Sequence, residues 1–321
     1  MEAFIAKNSG SRMNIFCMGC LTMCGLKNRI INKIAFVPPK VIGYEVTSSG
    51  KFVISDQILW EKFADELDMN GIELDFHWVP TKTHRIACFS LFPKPTNEDR
   101  ITIIFSHGNG SDIGHCFGFC FRICCKFRVN VIAYDYSGYG LSGGSPSEKN
   151  LYRDAASVWN YTVQQLSIPP DTIILYGNSI GSAASCYLVN CLFNSKKSSK
   201  GIVACDKLGG LVIHSGIASG LRIFLIKIKK SPWFDAFCNC DSLAKSKINF
   251  PVYILHGKDD RVVPFKHALI LRDSIKLEPP MLQTWWVDGA DHNNIEMDYA
   301  NEYYTRMGAF LQICKIKSGK W

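Results

Sequence analysis

Two rhythms of apolar and polar residues divide the chain after residue 70. Between 71 and 79, and more loosely between 85 and 92, apolar positions alternate with polar ones. Period two is the spacing of a strand with one face in a core and one in water, so both segments are expected as antiparallel strands. Farther on, mostly apolar runs at 101–105, 129–134, 173–176, 211–214, 252–255 and 285–287 each stop within a few residues at Gly, Asp or Asn. Amphipathic stretches near 113–127, 148–166, 181–193 and 265–275 separate most of these runs, and another at 294–315 closes the chain. Buried runs alternating with helices predict an α/β fold, a mostly parallel central sheet with helices on both faces. The connection after 211–214 is too short for a large cap, so a short insertion is expected there. Residues 195–200, all serine and lysine, read as a solvated loop.

One apolar run carries a special ending. The run 173–176 leads into Gly177-Asn178-Ser179-Ile180-Gly181, and small residues at helical spacing follow. Strand, tight turn, helix is the setting of a nucleophile elbow, G-x-S-x-G. The turn forces its serine into a strained backbone region, so positions two before and two after must lack bulk. The helix behind it aims amide N–H groups and its positive dipole end at the same point.

Three other strand ends carry chemistry, where open α/β sheets gather functional groups. After 101–105 comes His107-Gly108-Asn109-Gly110. After 252–255 comes His256-Gly257-Lys258-Asp259-Asp260, followed by Val262-Val263. After 285–287 comes Gly289-Ala290-Asp291-His292-Asn293. A serine hydroxyl needs a neutral imidazole to take its proton, and the imidazole needs a carboxylate to hold its tautomer. Ser179, His292 and Asp260 are therefore the candidate catalytic residues. Asp259 is the adjacent alternative, with the His-Gly-x-x-Asp spacing and the two valines favouring Asp260. The oxyanion calls for the backbone N–H of Ile180 and one from the earlier loop, Asn109. His107 is expected to brace that loop. Taken singly, such a serine caps a helix, such a histidine is solvated and such an aspartate caps a turn; four of them at four strand ends in this order speak for one site. His77, His84, His115 and His267 have no comparable context and are expected to be structural.

Composition adjusts this picture in three ways. With 47% apolar and 20% charged residues in 321, the chain is not wholly disordered, and its net charge of +8 is spread rather than blocked, which excludes a dedicated nucleic-acid binder but leaves a membrane surface open. Many of the 14 cysteines sit in apolar periodic segments, among them Cys116, Cys120, Cys124 and Cys125, where a free thiol behaves as a small hydrophobe. No stretch has the form of a signal peptide, so a reduced, cytosolic compartment is expected. Cys17-x-x-Cys20 and Cys238-x-Cys240 have no second pair at matching spacing, so neither a metal nor another cofactor is expected.

Residues 1–40 differ from the domain expected over 41–321. Residues 13–24 are apolar with Cys17, Cys20 and Cys24, and Lys27, Arg29 and Lys33 follow. Thiols beside a basic amphipathic segment are the setting for S-palmitoylation, and two or three acyl chains with nearby cations hold a protein on an anionic leaflet. The other reading is a small helix packing its Cys/Met face on the domain. Glu2 after the initiator excludes N-myristoylation. Residues 221–230 interleave apolar side chains with Arg222, Lys227, Lys229 and Lys230; they suit either a lip touching acyl chain and headgroups or a packed helix with snorkelling lysines.

With these residues placed, the chain resembles the α/β-hydrolase superfamily, in which the triad runs serine, acid, histidine. Within it, the chain is similar to the α/β-hydrolase domain-containing protein 17 group of membrane-anchored palmitoyl-protein thioesterases. The likeness runs over most of 30–315 and includes Ala35-Phe36-Val37-Pro38-Pro39, His107-Gly108-Asn109, Tyr134-Asp135-Tyr136-Ser137-Gly138-Tyr139-Gly140, Ser219-Gly220-Leu221-Arg222 and Trp233-Phe234-Asp235-Ala236-Phe237. It also takes in the elbow and Gly289-Ala290-Asp291-His292-Asn293. The resemblance implies an α/β-hydrolase fold, a triad of Ser179, Asp260 and His292, and thioester hydrolysis on S-acylated membrane proteins at the cytosolic face of plasma or endosomal membranes. An esterase acting on monoacylglycerols or small esters, and a membrane-tethered scaffold without catalysis, are the rival expectations.

Overall fold

In the computed structural model, residues 32–33, 35–194 and 201–319 are described. Cys17, Cys20 and Cys24, and the loop expected at 195–200, lie outside these residues.

The apolar runs become the middle of an eight-stranded sheet, ordered β10-β9-β8-β7-β5-β6-β4-β3. The strands are β3 (Ile72–Pro80), β4 (Arg85–Pro93), β5 (Thr102–Ser106), β6 (Asn130–Tyr134), β7 (Ile173–Asn178), β8 (Gly210–His214), β9 (Val252–Gly257) and β10 (Leu282–Val287). From β10 to β6 all neighbours are parallel, while β4 runs antiparallel to both β6 and β3. A separate small hairpin pairs β1 (Tyr44–Val46) with β2 (Phe52–Ile54).

Alternate side chains of each central strand enter two different cores. Ile104, Ile132 and Leu175 point into one, and Ile103, Val131, Ile174 and Tyr176 into the other. Helices α3 (Glu148–Gln164), α4 (Gly181–Phe193), α5 (Asn239–Lys245) and α6 (Lys266–Asp273) close the first core. The second lies beneath α1 (Gln57–Met69), α2 (Phe117–Phe127) and α8 (Ala300–Ser318). Because both faces are covered, the strands are apolar throughout rather than alternating.

Three details depart from the sequence pattern. Strand β4 is buried over nearly its whole length, because Ile86 and Cys88 enter the first core and Ala87, Phe89 and Leu91 the second, leaving no wet face. The closing helix is two, α7 (Ile295–Asp298) and α8, broken at Tyr299. Helix α1 had no counterpart in the expectations; Asp56 caps it by accepting from Leu59 N–H, and it packs Phe63 and Leu67 inward.

Strand β5 lies between β7 and β6, and the helices after β5 and β6 go to opposite faces of the sheet. That is the switch point at which open α/β sheets leave a crevice beyond their carboxyl ends. The connection from β8 to α5 spans only residues 215–238 and holds a single 3-10 turn, Leu221–Ile223, so this connection forms no large cap over the crevice. Among the described residues no helix is long and apolar enough to cross a membrane.

Candidate active site

Ser179 sits between β7 and α4 with φ of +52°. That left-handed value costs a non-glycine residue roughly 1–2 kcal/mol, and the surroundings enforce it. The Ser179 N–H donates to His214 O at 2.9 Å, and its carbonyl accepts from Ser182 N–H at 3.0 Å and Ser182 Oγ–H at 2.6 Å. The flanking glycines allow the close approach. A Cβ on Gly177 would come within 2.5 Å of Ser182 Cα, and one on Gly181 would overlap the Ser106 carbonyl.

The loop after β10 brings His292 to this serine. His292 Nε2 lies 2.9 Å from Ser179 Oγ, and Nδ1 lies 2.7 Å from Asp260 Oδ2. A carboxylate only accepts, so Nδ1 carries the proton and Nε2 presents its lone pair to the serine O–H. All three residues are less than a tenth exposed. Asp259, the alternative acid, is exposed instead.

Asp260 is held by more than its imidazole partner. Its Oδ1 accepts from the N–H groups of Val262 and Val263 at 2.9 and 2.7 Å. His256 Nε2 lies 3.1 Å from Oδ2 and 2.8 Å from Val263 O, and both are acceptors, so this nitrogen donates. Burial by itself would raise the Asp260 pKa, but the hydrogen bonds and charge of His256 and His292 outweigh it and hold the carboxyl well below the usual range. His256 had no assigned role in the sequence reading, although the His-Gly-x-x-Asp spacing that favoured Asp260 already contained it.

A second clamp joins the two loops. Asp291 Oδ1 accepts from Arg261 N–H at 3.0 Å and from His292 N–H at 2.7 Å, tying the segment after Asp260 to the base of His292.

The loop after β5 faces the serine from the other side. A Cβ on Gly108 would stand 3.7 Å from Ser179 Cβ. Ile180, at the N-terminal boundary of α4, supplies one of the leading amides that have no acceptor within a helix. His107 is buried, packs its ring on Tyr136 with centroids 4.2 Å apart and a 30° tilt, and sets its Nε2 3.4 Å from Asp135. Burial raises the pKa of Asp135 against the opposing hydrogen bonds of His107 and Tyr44. His77, His84, His115 and His267 bond to Ser90, Ser137, Asp112 and the Ala218 N–H respectively, none of them a candidate site residue.

Asn109 does something the sequence did not suggest. Its Oδ1 accepts from Val37 N–H at 2.9 Å and from Tyr139 O–H at 2.7 Å, while its amide donates to Ala35 O at 2.9 Å. The side chain thus latches the chain that leads in from the N-terminal segment onto the loop beside Ser179. Phe36, between the two latched residues, packs edge-on against Tyr139 and Phe237.

No family model matches the chain. It is 32% identical to α/β-hydrolase domain-containing protein 17C of Xenopus tropicalis, over 94% of this chain and 96% of that one. It is 33% identical to protein 17B of Homo sapiens, over 95% and 97%. Among solved structures, the esterase Pf2001 of Pyrococcus furiosus overlays with a TM-score of 0.58 at 17% identity, covering 86% of this chain and 97% of that one. The esterase EaEST of Exiguobacterium antarcticum gives 0.51 at 16% identity, covering 73% and 98%. The overlays share the fold seen here, and the relatives align nearly end to end: this chain is an α/β-hydrolase and belongs to the α/β-hydrolase domain-containing protein 17 family.

Proposed function

We propose that the chain is a serine hydrolase that removes fatty-acyl groups from protein cysteines by thioester hydrolysis at the cytosolic face of a membrane. The observation that carries the chemistry is the hydrogen-bonded chain from Asp260 through His292 to Ser179 at the carboxyl ends of the strands. In this reading Ser179 Oγ attacks the thioester carbonyl carbon while its proton passes to His292 Nε2. The backbone N–H groups of Ile180 and Asn109 receive the negative oxygen, and Asp260 stabilises the imidazolium. Collapse breaks the C–S bond, and the departing sulfur takes the proton from His292. Water then attacks the acyl-serine, giving its proton to His292 and releasing the fatty acid as the serine is restored.

A β8–α5 connection that forms no large cap suits entry of an acyl chain still attached to a folded protein. The test is turnover of an S-palmitoylated peptide, read as free thiol, against that of a monoacylglycerol of equal chain length. Faster thiol release is expected; a protein that cleaves only the glycerolipid would refute the thioester assignment and leave an ester hydrolase.

Acylation of Cys17, Cys20 and Cys24 would bring the enzyme to its membrane-bound substrates. Replacing the three by serine in cells is expected to move the protein to the soluble fraction. Unchanged recovery with membranes would remove the anchor.

A further inference from the structure

The connection between β8 and α5 carries a surface that the hydrolytic site does not explain. Phe224 is 50% exposed and Trp233 71% exposed, while Lys227, Lys229 and Lys230 are exposed between them. Ile223, Leu225, Ile226, Ile228 and Phe234 are partly buried, Ile223 against the first core. No acidic residue occurs from 221 to 234, so the cations are not there to satisfy neighbours within the segment.

The segment is pinned at its base. Arg222, only 3% exposed, donates to Ser219 Oγ at 2.9 Å and Ser231 Oγ at 2.8 Å, with Asp235 Oδ2 at 3.9 Å. Its guanidinium therefore bridges the two ends of the excursion. Asp235 Oδ1 accepts from Leu221 N–H and Ala236 N–H at 2.8 Å each, and Gly220 N–H donates to Ala236 O at 2.7 Å. Of the two expectations for this stretch, the packed helix shrinks to one turn: beyond Leu221–Ile223 the bonds from Leu225 N–H to Leu221 O and from Ile228 N–H to Leu225 O follow, and no continuous helix forms. Scattered exposed apolar residues are ordinary on a protein surface. Two large aromatics and three lysines carried out on one stapled loop are a different case.

Its position also matters. Ile217 N–H and the Asn239 amide both bond to Ser182 Oγ at 3.2 Å, so both roots of the excursion rest on the turn that holds Ser179. Phe237, just past it, packs on Phe36, next to the point where Asn109 latches the incoming chain. Lip, crevice and the entry of the N-terminal segment thus share one side of the molecule.

We propose that residues 224–233 form a membrane-docking lip, in which Phe224 and Trp233 insert at the interface of an anionic bilayer and Lys227, Lys229 and Lys230 face its headgroups. Tryptophan prefers the boundary between acyl chains and headgroups, and burying exposed aromatic surface adds to lysine attraction. A lysine near an anionic leaflet raises the partition coefficient about fivefold, so the three together set it on the order of a hundredfold higher. The lip stands independently of the thioester reading, since docking requires no turnover.

The test uses the unacylated full chain with phosphatidylcholine vesicles made with and without phosphatidylserine, measured by co-sedimentation. Wild type is expected to favour the anionic vesicles, and Lys227→Gln/Lys229→Gln/Lys230→Gln to lose most of that preference at an unaltered melting temperature. Vesicles doped with brominated lipid should quench part of the tryptophan fluorescence of wild type, and markedly less of that of Trp233→Tyr. If all three proteins bind alike and Trp233→Tyr is quenched as strongly, the lip is not the contact and the N-terminal segment is. If wild type ignores the vesicles but binds an acidic polypeptide through the same lysines, the surface serves a protein partner and the bilayer proposal fails.

Discussion

Ser179→Ala is expected to abolish labelling by a fluorophosphonate probe and to lower turnover about a millionfold, the scale seen when a serine hydrolase loses its nucleophile. Alanine at φ of +52° bears the same backbone strain as serine, so the change removes one oxygen and little else. The fold should survive, with a melting temperature within a few degrees of wild type. Among the described residues, buried thiols are poor substitutes. The thiols of Cys88, Cys124 and Cys186 are buried, and burial raises their pKa values, so the reactive thiolate is scarce. Labelling of the alanine variant at the wild-type rate would disprove the assignment of Ser179.

Asp260→Asn should cost about 10⁴ in kcat while leaving the backbone in place. The amide oxygen of asparagine can keep the Val262 and Val263 N–H groups, but its NH₂ would then face two donors, His256 Nε2 and His292 Nδ1. The simplest relief is for His292 to turn its lone pair to Nδ1, which places a proton on Nε2 opposite the serine hydroxyl and removes the base. Stability should respond to pH as well. Because the folded-state pKa of Asp260 is depressed, its contribution is present above the ordinary carboxylate range and is lost as pH falls through the lower folded value. The gap in melting temperature between wild type and Asp260→Asn should therefore be full near neutrality and narrow below about pH 4. A gap that stays constant into acid, or a kcat within tenfold of wild type, would show that Asp260 does not serve His292.

How far the sequence could be read depended on whether a feature was local. The buried strands and the elbow announce themselves within ten residues, because a two-sided sheet demands apolar runs and a strained turn demands glycines. The same holds for Asp260, whose own neighbours supply two of its hydrogen bonds. Strands β1 and β2 are three residues each and too short to show a period. Helix α1 leaves Ile58 and Met69 exposed while burying Phe63 and Leu67, which blurs its stripe. Strand β4 is antiparallel as its rhythm suggests, but the cover on both its faces comes from elements far along the chain and leaves no local sign. Asn109 is the sharpest case: its partners lie 72, 74 and 30 residues away, and no pattern around it hints at them.

That latch fixes a working radius. Eleven residues run from Cys24 to Ala35, and even a fully drawn-out chain of that length reaches only about 40 Å. With Cys24 carrying a lipid, as proposed, the crevice would be confined to a shallow layer above the bilayer. Thioesters close to the lipid boundary would fall inside it, and those borne on long stalks would not. Turnover would then follow the number of acylated proteins per unit area of membrane rather than their concentration in bulk.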